Sequence, residues 1–87
     1  MNIAALDTLA NKLGTDALTA LVRLCPEIRT ASPAQQEAAC AAMRAVSKDA
    51  INELIDDARD APGVSHIAYA AAVLTLTHAG IKVLRGN

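Results

Sequence analysis

Apolar positions recur at three- and four-residue spacings along almost the whole chain, and no stretch alternates at period two for more than a few residues. That is the pattern of amphipathic helices with one face turned inward. Ile3, Leu6, Ala10 and Leu13 share a face and predict a first helix over Ile3–Leu13, which Gly14 would close. A second is predicted from Thr15 or Asp16, whose side chains can accept from the unpaired N–H groups of a first turn, with Leu18, Leu21, Val22 and Leu24 directed inward. Pro26 ends it, because proline has no N–H to donate and its ring pushes Cys25 out of helical geometry. Pro26 to Ala31 is therefore expected to be a connection.

Ser32-Pro33-Ala34-Gln35 places a serine N-cap, a proline at the first helical position and a glutamine three residues on, the elements of a capping box. A helix is predicted from Pro33. Further along, Ala50, Ile51, Leu54, Ile55 and Ala58 occupy one face, but the same wheel carried backward puts Arg44 and Ser47 on that face and Val46 off it. Ser47 is also a good N-cap, with Val46 and Ile51 able to form a hydrophobic staple and Asp49 in the first turn. This favours a break at Ser47 over one helix running to Asp60. Ala61-Pro62-Gly63 is a stop, and Ser65 caps a last helix from about His66 to Leu84. Ile67, Ala71, Leu74, His78 and Ile81 line one side of it, while Ala70, Val73 and Val83 make the other nearly as apolar. A helix apolar on two sides is expected to be surrounded. The predicted architecture is one all-α domain over residues 1–87, a small bundle of four to five helices around a central apolar C-terminal helix.

Composition agrees with that reading and limits the core. The chain has 20 alanines against 24 larger apolar residues, with one Tyr and no Phe or Trp. Alanine favours helix and contributes little buried area. Ala38, Ala39, Ala41, Ala42 and Ala45 are too many to face one small core, which suggests a homodimer in which a flat alanine surface is covered. Net charge is −1, and the basic residues are spread singly, unlike the clustered patch of a nucleic-acid binder. The first residues lack a basic segment and a continuous apolar core, so the expected location is the cytoplasm, with Cys25 and Cys40 as reduced thiols. Ile67 to Ile81 carries no charge, but about 15 residues interrupted by His78 fall short of the ~20 a bilayer requires.

The chemistry-bearing residues are widely separated. Cys25, Cys40, His66 and His78 are separated by 14, 25 and 11 intervening residues, whereas structural zinc sites bring their ligands in close pairs. His78 reads as a packed histidine, Cys25 sits at a helix C-terminus that disfavours a thiolate, and the four glycines form no phosphate-cradling loop. No metal, cofactor or catalytic residue is expected. Asp56-Asp57-Ala58-Arg59-Asp60 resembles the aspartate-rich motif with which terpenoid synthases hold magnesium diphosphate, and Glu53 with Asp56 is similar to half the metal site of all-helical nucleotide pyrophosphohydrolases. The first family needs a far larger bundle, and the second needs an upstream acidic pair where this chain has Gln35, Gln36, Glu37 and Cys40. Leu9-Ala10-Asn11-Lys12-Leu13-Gly14-Thr15-Asp16 resembles the core of bacterial helix-turn-helix regulators, which implies Ala10 between helices and Gly14 in the turn. The positions then facing a major groove, Asp16, Ala17, Leu18, Leu21 and Val22, include no Arg, Lys, Asn or Gln to read base edges. A DNA-binding regulator is the alternative reading.

One surface is arranged against its own stability. Asp49, Glu53, Asp56, Asp57 and Asp60 fall on one arc of a helix, and the 49/53, 53/57 and 56/60 pairs are like charges at i,i+4. Each such pair is unfavourable by about 0.2–0.5 kcal/mol. These five acids are the candidate contact residues for a basic partner. The expected function is a small non-enzymatic protein–protein interaction module of the inhibitor, immunity or adaptor type, binding neither nucleic acid nor membrane.

Overall fold

The computed structural model describes residues 3–60 and 65–86, with side chains described for 7–56 and 66–86. Three α-helices, α1 (Ile3–Leu24), α2 (Pro33–Asp60) and α3 (Ser65–Arg85), are joined between α1 and α2 by a 3-10 turn at Pro26–Arg29. The all-α class holds, but the four to five helices expected are three among the described residues, because α1 runs through Gly14 and α2 through Ser47. The Ala61-Pro62-Gly63 stop lies outside the described residues.

Both missing breaks have the same cause. In α1, Leu13, Ala17, Leu21 and Cys25 follow one another at four-residue steps and are all fully buried. A turn at Gly14 would scatter that stripe, and the roughly 1 kcal/mol by which glycine weakens a helix interior does not offset it. In α2 the buried stripe is Ala39, Met43, Ala50 and Leu54, with half-buried Val46 between them. Val46 thus shares the inward face across Ser47. The apparent register change arises from Ile51 and Ile55, which are only half-buried on the flank.

The connection follows its local chemistry. Cys25 leaves helical geometry at φ −137°, Pro26 opens the 3-10 turn, and Ile28 inserts into the core. The capping box forms: Gln35 N–H donates to Ser32 Oγ at 3.2 Å and Ser32 N–H donates to Gln35 Oε1 at 3.3 Å. Gln36 Nε2 donates to the Ile28 carbonyl at 2.7 Å, tying the first turn of α2 to the 3-10 turn.

α3 is central in that both other helices pack on it, whereas α1 and α2 barely touch. Its inward face differs from the one expected. Ala72, Leu76, Thr77 and Gly80 are buried, while Ile67 is 59% and Leu74 60% exposed, and His78 is exposed as well. Gly80 marks the closest packing: a Cβ there would stand 3.0 Å from Leu21 Cδ2 and 3.1 Å from Met43 Sδ, so all three helices converge on a missing methyl. Thr77 donates to the Val73 carbonyl at 2.7 Å and lies 3.4 Å from the Ala17 carbonyl, which satisfies the one buried polar side chain among the described residues. Leu18 and Leu24, expected inside, are 42% and 56% exposed because the continuous α1 turns its 13-17-21-25 stripe to α3 instead. At its end α3 closes on Gly86, whose φ of +73° is the left-handed C-cap conformation. Arg85 reaches across to α1, donating to the Leu24 carbonyl at 3.3 Å and bridging Glu27 at 3.5 Å.

Candidate protein-binding groove

Because α1 and α2 pack mainly on α3 and touch each other little, a groove runs between them. One end, of about 450 Å³, is lined by Ala10, Asn11, Gly14, Thr15 and Leu18 from α1 and Cys40, Met43, Arg44 and Ser47 from α2, with Leu76 of α3 reaching it from below. A second hollow of similar size continues past Asp7, Ala10, Arg44, Ser47, Lys48, Ile51 and Asn52. The floor is apolar, and the α2 rim carries the cations Arg44 and Lys48. Arg44 is held by Glu37 at 3.0 Å in an exposed pair. This is the place in a four-helix bundle where the fourth helix would lie.

Gly14 faces this groove. Among the described residues a Cβ built on it meets nothing within 4 Å beyond its own stretch of helix, so none of them requires glycine there. Gly14 and Gly80 therefore have opposite reasons: Gly80 lets this chain's own helices approach, while Gly14 leaves a notch that the chain itself does not fill.

The acidic residues are elsewhere. Asp49, Glu53 and Asp56 are exposed and lie roughly opposite the groove-lining Arg44, Ser47, Lys48 and Ile51 around the α2 axis. The side chains of Asp57 and Asp60 lie outside the described residues. The acidic face and the groove are thus separate surfaces of one helix. The groove's one signature in the sequence is Gly14, whose local signal is that of a helix stop.

The cysteines and histidines are not brought together. Cys25 is buried at the end of α1, Cys40 is half-buried on the groove wall, and His66 and His78 are exposed on α3. Among the described residues no group of three or more His, Cys, Asp or Glu side chains is placed to hold a metal ion. Burial pushes the Cys25 thiol up from its ordinary value, and its hydrogen bond to Glu27 adds to the effect. The same hydrogen bond lowers Glu27, with the Arg85 guanidinium acting in the same direction. The helix-turn-helix arrangement is not formed, since α1 is unbroken at the residue that should make the turn. Compared with protein-family models, curated proteins and solved structures, the chain finds no match.

Proposed function

We propose that this chain is a small, non-enzymatic, cytoplasmic interaction module that receives one amphipathic helix of a partner protein in the groove between α1 and α2. The observation that carries this reading is Gly14. A helix-interior glycine weakens the helix by roughly 1 kcal/mol relative to alanine. Here it lines an open groove and makes room for no packed neighbour among the described residues. A notch of that kind allows a visiting helix to approach closely. The apolar floor of Leu18, Met43 and Leu76 would take the visitor's apolar stripe. Arg44 and Lys48 on the rim favour acidic side chains beside that stripe.

The acidic face of Asp49, Glu53, Asp56, Asp57 and Asp60 calls for a partner of opposite charge, so the two surfaces separate in one experiment. The chain serves as bait for a displayed library of amphipathic helical peptides. Expected binders carry Asp or Glu beside an apolar stripe, lose affinity against Gly14→Leu or Leu18→Arg, and slow alkylation of Cys40 on the groove wall. Glu53→Lys with Asp56→Lys should leave them unaffected and stabilise the fold by a few tenths of a kcal/mol, since the 49/53, 53/57 and 56/60 repulsions are relieved. Basic binders that are lost on that double reversal and indifferent to Gly14→Leu would move the site to the acidic face.

A further inference from the structure

The sequence spreads its basic residues singly, but the fold gathers half of them. α1 and α3 run side by side in the same direction, since Asp16 meets Tyr69 and, further along both helices, the Leu24 carbonyl meets Arg85. Both helices therefore end at one pole of the 40 Å molecule, where the 3-10 turn also lies. Arg23 in the last turn of α1, Arg29 in the 3-10 turn, and Lys82 and Arg85 in the last turn of α3 are collected there. These are four of the chain's eight basic side chains, and all four are exposed. The acids at this pole are already matched: Glu27 bridges Arg85, and Glu37 bridges Arg44. Arg23, Arg29 and Lys82 have no ion pair among the described residues. α2 starts at the same pole, where Gln36 bonds to the Ile28 carbonyl, and runs away from it, carrying Asp49, Glu53 and Asp56 toward the opposite end. A chain of net charge −1 is thus charged oppositely at its two ends.

We infer that this basic pole docks end-on against an anionic lipid bilayer. Charge complementarity selects both the surface and the orientation: a negative leaflet attracts clustered Lys and Arg and repels the acidic end, so the two poles turn the molecule the same way. The side chains among the cations select lipid over nucleic acid. Leu24, next to Arg23, is 56% exposed, and Val83, next to Lys82, is 36% exposed. Aliphatic side chains of this kind gain from burial at the boundary of headgroups and acyl chains. Nucleic-acid sites set aromatic rings there to stack on bases, or Arg, Asn and Gln in a groove to read base edges.

Size separates the bilayer from an acidic protein as the occupant. A pole with a cross-section of 23 × 18 Å is small for the ~800 Å² that each partner contributes to a stable protein interface. Fluid headgroups close around a convex end instead. Cations in a last turn also suit the C-terminal dipoles of α1 and α3. That role alone predicts variants that lose stability and a wild-type chain that ignores lipid.

Vesicle sedimentation of the full chain tests the proposal. At low salt the chain should sediment with vesicles of equal parts phosphatidylcholine and phosphatidylserine, stay in solution with phosphatidylcholine alone, and be released by added salt. Arg23→Gln and Lys82→Gln should each weaken partitioning roughly fivefold. Lys48→Gln, the same change of charge on the groove rim, should alter it little. Leu24→Gln should weaken binding without changing its salt dependence. Circular dichroism checks that each variant keeps its helices; should Arg23→Gln or Lys82→Gln fail to fold, Arg29→Gln, outside α1 and α3, takes its place. A wild-type chain left in solution by the anionic vesicles at low salt, equal losses from Lys48→Gln and Lys82→Gln, or tighter binding to random duplex DNA than to the vesicles would each overturn the proposal. None of these outcomes bears on peptide binding at the groove.

Discussion

The hydroxyl of Tyr69 on α3 donates to the carboxylate of Asp16 on α1, and the ammonium of Lys12, one turn earlier on α1, stands 4.7 Å from the centre of the Tyr69 ring. The only aromatic side chain of the protein thus joins the two helices by its polar tip and its face at once. Burial and then the hydrogen bond to Asp16 push the phenol up to about 12.

Tyr69 is the only Tyr in a chain without Trp, so near-ultraviolet absorbance reports its ionisation alone. The native protein should titrate near pH 12 and the denatured chain near the ordinary phenol value of about 10. Because the folded state holds the proton more tightly, this contribution is complete below pH 10 and is lost as pH rises through 12. Tyr69→Phe should flatten that alkaline decline and lower stability at neutral pH by about 1 kcal/mol, measured by urea unfolding. A native midpoint near 10 would mean the contact does not exist in solution.

The two helix-interior glycines should respond oppositely to a side chain. Gly14→Ala adds a methyl into open space in a residue already helical, so unfolding midpoints should rise by an amount corresponding to about 0.5–1 kcal/mol. Gly80→Val drives two methyls toward Leu21 and Met43 and should destabilise by about 1–3 kcal/mol. A destabilised Gly14→Ala would show that a turn exists where α1 runs unbroken.

The thiols should differ in reactivity. Cys25 is buried, raised in pKa and hydrogen-bonded to Glu27, whereas Cys40 is half-buried on the groove wall. Under native conditions one thiol should alkylate at a rate set by the groove, and the second only as the protein unfolds. Mass spectrometry of partly modified protein assigns them; early labelling of Cys25 would refute its packing.

Neighbouring leucines on α3 provide a further contrast. Leu76 is 1% exposed, and Leu76→Ala should cost about 2–4 kcal/mol, while Leu74→Ala should leave the stability of the isolated protomer within about 0.5 kcal/mol. Denaturant titrations at low concentration measure both. Equal losses would place Leu74 in the core, where the sequence pattern alone had put it.

That contrast shows what the sequence could reveal. Helix type, the Ser32–Gln35 cap, the exit at Cys25-Pro26 and the exposure of Asp49, Glu53 and Asp56 are local properties, and local rules predict them. The continuity of α1 through Gly14 is not local: it depends on Leu13, Ala17, Leu21 and Cys25 all finding cover on another helix. For α3, apolar on two sides, periodicity cannot choose which side faces inward, because the choice is made by where α1 and α2 attach. The groove was illegible for the same reason, being a gap between two helices that each look complete alone.

The uneven packing has a consequence for how the molecule comes apart. α2 and α3 share most of the interhelical packing, while α1 holds to α3 along one stripe and touches α2 hardly at all. The pair with the larger shared packing should part last, so α1 should lift away first as a cooperative segment. Its amides should then exchange with solvent through a sub-global opening while those of α2 and α3 wait for complete unfolding. Any helix bound between α1 and α2 would bridge the two segments and make them open together, so that occupancy of the groove becomes visible as slowed exchange in a helix end the visitor never touches.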